Sequence, residues 1–208
     1  MTSLLAVLAG FLMGSFVNAF VNYEGRHKPL FKWYFRLYYK DAVSIVTTAG
    51  LGLIFYVIYT KMSITYYSLS YMILAAFLSA AAIKDIKERI IPNKLTLFGL
   101  ISGVVLNVLF LDLERIVWGL AALVLAGGVL LITSLMSKGG VGLGDAKLVA
   151  CIGLLLGIDK TISVMIISFI ASALFGILSM LLKKLNKKSA MPFAPFVLLG
   201  VLLPMFIG

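Results

Sequence analysis

Two aspartates are the residues of this 208-residue chain whose setting could support chemistry: Asp85, in Asp85-Ile86-Lys87-Glu88-Arg89-Ile90-Ile91-Pro92-Asn93, and Asp145, in Gly142-Leu143-Gly144-Asp145. Two carboxyls a few ångströms apart cannot both ionise, so such a pair holds one proton between them. The ionised member can take a proton from water as the water attacks a carbonyl carbon. The protonated member can stabilise the carbonyl oxygen and later protonate a leaving amine. That hydrolysis needs no metal, cofactor or covalent intermediate. A coupled pair titrates as a unit, so the spacing alone leaves the proton unassigned.

The segments around each aspartate have a plainer reading as well. Lys84, Lys87, Glu88 and Arg89 beside Asp85 are what a charged helix end in water looks like. Pro92 and Asn93 mark an extended break after it, since a residue before proline avoids helical angles. Asp145 follows four glycines in six positions, Gly139, Gly140, Gly142 and Gly144. Glycine permits backbone angles and close approaches closed to other residues, so Gly142 and Gly144 are read as a loop presenting Asp145. The competing reading is a flexible linker whose aspartate caps the next helix. Other chemistries lack their parts. His27 is the only histidine and Cys151 the only cysteine, which leaves no nucleophilic triad and no metal-ligand cluster. The glycine-rich stretch does not end in the Gly-Lys-Ser/Thr of a phosphate loop.

The elements that must position the pair are membrane helices. The chain is 62% hydrophobic and 12% charged, with mean hydropathy +1.11. A soluble domain carries about twice that charged fraction. Apolar runs predict eight spans, at 3–22, 42–60, 66–83, 95–111, 116–136, 147–158, 161–182 and 191–207, in an all-α polytopic bundle that forms one integral domain over 1–208. The sixth, at twelve residues, rises about 18 Å against a hydrocarbon core of about 30 Å. The first is read as a retained helix, because no Lys or Arg precedes its apolar core. With the N-terminus outside, fifteen of the 18 Lys+Arg fall in inside loops, Lys147 among them as part of that bias. The net charge of +10 is therefore assigned to topology, with no nucleic-acid partner. The same alternation puts Asp85 and Asp145 at the cytoplasmic face of a cell membrane, as a membrane aspartyl protease requires. The loop 23–41, with Trp33, Tyr34, Tyr38 and Tyr39 among basic residues, reads as a segment anchored on the lipid surface.

Four stretches together resemble the type IV prepilin peptidases, membrane aspartyl proteases with a Gly-x-Gly-Asp signature. Gly14-Ser15-Phe16-Val17-Asn18 is similar to that family's first-span Gly-Ser-Phe-x-Asn. Asp85 with Ile91-Pro92-Asn93 and Leu95-Thr96 resembles its first catalytic motif, and Gly142-Leu143-Gly144-Asp145-Ala146-Lys147-Leu148 its second. Pro192-Phe193-Ala194-Pro195-Phe196 is similar to its Pro-Phe-x-Pro-Phe opening of the last helix. The resemblance implies Asp85 and Asp145 as the catalytic pair. It further implies removal of the basic leader of a prepilin or pseudopilin at the cytoplasmic face. Many family members also N-methylate the product with S-adenosylmethionine and carry two Cys-x-x-Cys pairs in the first cytoplasmic loop, which would hold zinc. The loop 23–41 has no cysteine, which makes methyl transfer doubtful here and leaves proteolysis, with no cofactor, as the expected activity.

Two other functions fit the composition. A small proton- or cation-coupled transporter would use the aspartates as an ion site, though such sites lie near the midplane, often with internal repeats that this chain lacks. A presenilin-like intramembrane protease shares Gly-x-Gly-Asp but carries Tyr-Asp and Pro-Ala-Leu where this chain has Lys84-Asp85 and Pro-Phe-Ala-Pro.

Overall fold

The computed structural model describes residues 2–23, 42–136, 142–182 and 191–207. Eight α-helices fill them: α1 (Thr2–Tyr23), α2 (Ala42–Met62), α3 (Tyr66–Glu88), α4 (Asn93–Phe110), α5 (Leu113–Met136), α6 (Leu143–Leu156), α7 (Ile158–Leu181) and α8 (Ala194–Ile207). All but α6 and α8 are long and apolar enough to cross a membrane. Large apolar side chains such as Val117, Val124, Val129, Ile166, Ile170 and Leu174 stand exposed along α5 and α7. An apolar surface of that extent belongs against lipid. The chain is an integral membrane protein. The loop read at 23–41 (beyond Tyr23), His27, Gly139, Gly140 and the lysines from 183 to 188 lie outside the described residues.

The chain divides into two compact units, residues 1–80 and 81–208. In the first, α1 packs along α2. Glycine sets their separation: a methyl group on Gly10 would meet the Leu51 carbonyl oxygen at 2.6 Å, and one on Gly14 the Thr48 Cα at 2.6 Å. Where the backbones touch, polar groups need partners. Asn18 Nδ2 donates to the Ser44 carbonyl at 2.9 Å and to Thr48 Oγ1 at 3.0 Å, while Thr47 Oγ1 donates to Asn18 Oδ1 at 2.9 Å. Asn18, the asparagine of the first-span motif, thus fastens two helices. Helix α3 opens with a reciprocal cap, Thr65 N–H to Ser68 Oγ at 2.8 Å and Ser68 N–H to Thr65 Oγ1 at 3.2 Å.

The second unit is arranged around α6, which packs against α4, α5 and α7. Its buried face runs from Leu148 to Leu156. Helix α5 fits it through small residues: a methyl on Gly127 would strike Ala150 at 2.8 Å, and one on Gly153 the Ala122 backbone at 2.8 Å. Asn107 of α4 donates to the Leu154 carbonyl at 3.1 Å. Helix α8 packs on α7, with Gly200 seated over the Val164 carbonyl and Phe169 stacked on Phe193 at a centroid distance of 5.3 Å.

Helix α6 spans 14 residues, about 21 Å, and begins four residues ahead of the expected 147. Glycines made 142–146 read as loop, yet Gly142 is the N-cap and the helix is already wound at Gly144 and Asp145. An acid in the first turn offsets the glycine's poor propensity, because it faces the positive end of the helix dipole.

Candidate active site

Asp85 stands in the last turn of α3 with 7% of its surface exposed, in a helix that is apolar through its middle. Beyond it α3 stops at Arg89, which takes the left-handed φ of 55° while its N–H still bonds to the Asp85 carbonyl at 2.9 Å. A non-glycine residue there is held against a steric cost, and here it turns the chain away from the aspartate. Ile90 and Ile91 then run to Pro92, the N-cap of α4, at φ −63° and ψ 136°. The extended break expected from the proline is present.

Asp145 is half-buried in the first turn of α6, its N–H bonded to the Gly142 carbonyl at 3.1 Å. The two glycines before it matter for space. Gly142 has ordinary extended angles, φ −72° and ψ 137°, which any residue adopts. A methyl group on it would crowd Asp145 Oδ2 at 3.1 Å, and one on Gly144 would lie 3.0 Å from the Ile91 side chain. The Gly-x-Gly spacing therefore lets the segment after Asp85 lie against the turn that carries Asp145.

Asp85 and Asp145 line one cavity of about 470 Å³ within the second unit, together with Arg89, Ile90, Ile91, Asn93, Gly142, Leu143, Gly144, Lys147, Met191 and Phe193. Of the residues assigned to the site from sequence, Asp85, Asn93, Gly142, Gly144 and Asp145 are here, and Pro92 is not, capping α4 one position before Asn93. Burial pushes the Asp145 carboxyl up from 3.8 to about 6, the negative charge of Asp85 adds to it, and a hydrogen bond with the Gly142 backbone opposes it. Burial is the larger cause, and the contribution of Asp85 shows that the two acids share the site.

Two contacts were not legible in the sequence. The Ala194 N–H, at the start of α8, donates to Asp85 Oδ2 at 2.9 Å. Lys147, read only as one of the basic residues of a loop, reaches across to Asn93 Oδ1 at 2.6 Å and lines the cavity. Lys84, beside Asp85, is buried and pairs with Glu88 at 2.9 Å. The first two join residues 109 and 54 positions apart, so no local pattern announces them. Proline-bounded Phe193-Ala194 was the one available signal, and it marked only a helix start.

Residues 72–177 match the model of the type IV leader peptidase family. That stretch holds both aspartates and covers half of the chain. The chain belongs to the type IV leader peptidase family. Family membership favours neither the transporter reading nor the presenilin-like one. Among curated relatives, a prepilin leader peptidase/N-methyltransferase of Bacillus subtilis is 31% identical over 144 residues, 66% of this chain and 55% of the relative. One from Aeromonas salmonicida is 32% identical over 134 residues, 62% of this chain and 46% of the relative. One from Legionella pneumophila is 30% identical over 128 residues, 60% of this chain and 45% of the relative. The chain spans about half the length of the curated relatives it matches. No solved structure matches it.

Proposed function

We propose that this chain is an aspartic-type endopeptidase that removes the basic leader of type IV prepilins or pseudopilins at the cytoplasmic face of the cell membrane. The observation that carries the reading is the convergence of Asp85 and Asp145, from two helices, on one cavity. The raised titration of Asp145 supports it, because proteolysis by a pair of acids needs one of them to keep its proton above the ordinary carboxylate range.

In the reaction, the ionised carboxylate takes a proton from a water molecule whose oxygen bonds to the scissile carbonyl carbon. The protonated carboxyl gives its proton to the carbonyl oxygen, and a tetrahedral diol forms. Collapse of the diol breaks the C–N bond, and the amine leaves with a proton from the pair. Met191, Phe193, Ile90 and Ile91 give the cavity an apolar wall suited to an extended peptide, and Lys147 on Asn93 fixes its rim. The relatives are also named N-methyltransferases.

Co-expression with a prepilin from the same source tests the reading. Wild type should convert the substrate to a faster band on a gel, and Asp85→Asn and Asp145→Asn should each abolish the shift while inserting normally. Near-wild-type cleavage by either variant would overturn the assignment of the pair.

A further inference from the structure

Asp85 and Asp145 are carried by different helices, so their separation is set by whatever joins those helices at the cavity. Asn93, the first residue of α4, follows Asp85 by eight positions, across the break from Ile90 to Pro92. Lys147 follows Asp145 by two positions on α6. Side chains two apart on a helix leave it in different directions, so Lys147 is turned away from the carboxyl it follows. Its Nζ donates to Asn93 Oδ1 at 2.6 Å, a neutral acceptor 54 positions away, and both residues line the cavity.

The head of α4 and α6 touch at further points. Ile91 lies against Gly144, where a methyl group would meet its side chain at 3.0 Å. Cys151 Sγ donates to the Thr96 carbonyl at 3.4 Å, and Asn107 to the Leu154 carbonyl at 3.1 Å, both buried. Residue numbers rise together along this seam, 91 with 144, 93 with 147, 96 with 151 and 107 with 154, so α4 and α6 run side by side in one direction. Of its hydrogen bonds, the one from Lys147 is exposed. An exposed hydrogen bond adds little net stability, because water replaces either partner. What it can do is fix a distance: a misplacement of about 1 Å at a catalytic group costs on the order of a hundredfold in rate.

We propose that Lys147 is a positioning residue for proteolysis: through Asn93 it fastens the first turns of α6 to the head of α4, and so fixes how far Asp145 stands from Asp85 when water attacks the scissile carbonyl. This rests on the proteolytic reading. Lys147 acts through the placement of Asp145 and takes no part in proton transfer.

The full chain, purified in lipid nanodiscs, is assayed on a prepilin beside Lys147→Met, Asn93→Ala, the two combined, and Lys147→Arg. Each single loss should lower kcat about tenfold at unchanged KM, with the unfolding temperature of wild type. The combined variant should be no slower than the slower single one, because both changes remove the same bond. Lys147→Arg, which still carries donors for Asn93, should recover most of the lost rate. Wild-type kcat in Lys147→Met, a change in KM alone, or losses that multiply in the combined variant overturns the proposal. So does a rate loss matched by a lower unfolding temperature, which a merely structural bond would give.

Asn93→Cys combined with Lys147→Cys lets a covalent link replace the bond. A bis-methanethiosulfonate with a short spacer should bridge the two thiols and restore the rate, and reduction should remove that gain. The native Cys151 is fully buried and stays out of the reaction. Failure to bridge, or bridging with no gain in rate, overturns the proposal. A wild type that cleaves no prepilin would sink the peptidase reading instead, and bridging would still report the contact between α4 and α6.

Discussion

At the scale of single residues, Asp145 is where pH reaches into the folded state. Its carboxyl titrates at about 6 in the fold against an ordinary 3.8. Between those values the folded protein keeps a proton that the unfolded chain has released. Stability therefore falls as pH rises through that window. Asp145→Asn has no charge to bury. Its stability in detergent, followed by thermal unfolding, should stay flat across the window and exceed that of wild type at pH 7 by on the order of 1–2 kcal/mol once partial exposure is allowed for. A variant that tracks the pH dependence of wild type would count against a raised acid at 145. Both aspartates were legible in the sequence, because glycine spacing and a proline break are local. The partners of the site were not. The Ala194 contact is made by backbone, which every residue carries, and the Lys147 contact depends on how α4 and α6 pack.

At the scale of elements, the site depends on how closely α5 approaches α6. A side chain at Gly153 would meet the Ala122 carbonyl carbon at 2.8 Å and the Leu123 nitrogen at 2.9 Å, both main-chain atoms that cannot rotate away. Gly128, one position beyond Gly127 on α5, has nothing within 4 Å. Gly153→Leu should lower stability by roughly 1–3 kcal/mol through overpacking. Gly128→Leu should be neutral or slightly stabilising, since it removes a poor helix former from a helix interior. Thermal unfolding in detergent compares the two, and equal losses would mean that helix propensity, not the seat on α5, governs both. The apolar runs fixed six of the helices to within about three residues because hydropathy reads length directly, whereas α3 runs five residues past the expected 83, to Glu88, so that Asp85 lies inside the helix. The start of α6 was missed because Gly142 and Gly144 signal a loop by propensity, yet Gly142 serves as the cap and Gly144, beside Ile91, is already inside the helix.

For the whole molecule, the all-α membrane architecture was legible from composition alone, whereas the division at residue 80 leaves no mark on hydropathy, because it falls inside the continuous helix α3. Orientation across the membrane rests on the distribution of Lys and Arg. Asp112→Cys should react with an impermeant thiol reagent added outside intact cells, and Lys187→Cys should react only after permeabilisation. The native Cys151 is fully buried, so it should stay silent in both. The opposite pattern would place the N-terminus inside.

Gly157 alone separates α6 from α7, at a φ of 78°. During synthesis, a helix of 14 residues with Asp145 and Lys147 in its first turns is too short and too polar to be captured by the insertion machinery by itself. With one residue between them, α6 and the 24-residue α7 are expected to enter the membrane together, the longer helix carrying the shorter. Biogenesis of the carboxyl pair is thus tied to α7, a helix that lends none of the described lining of the cavity.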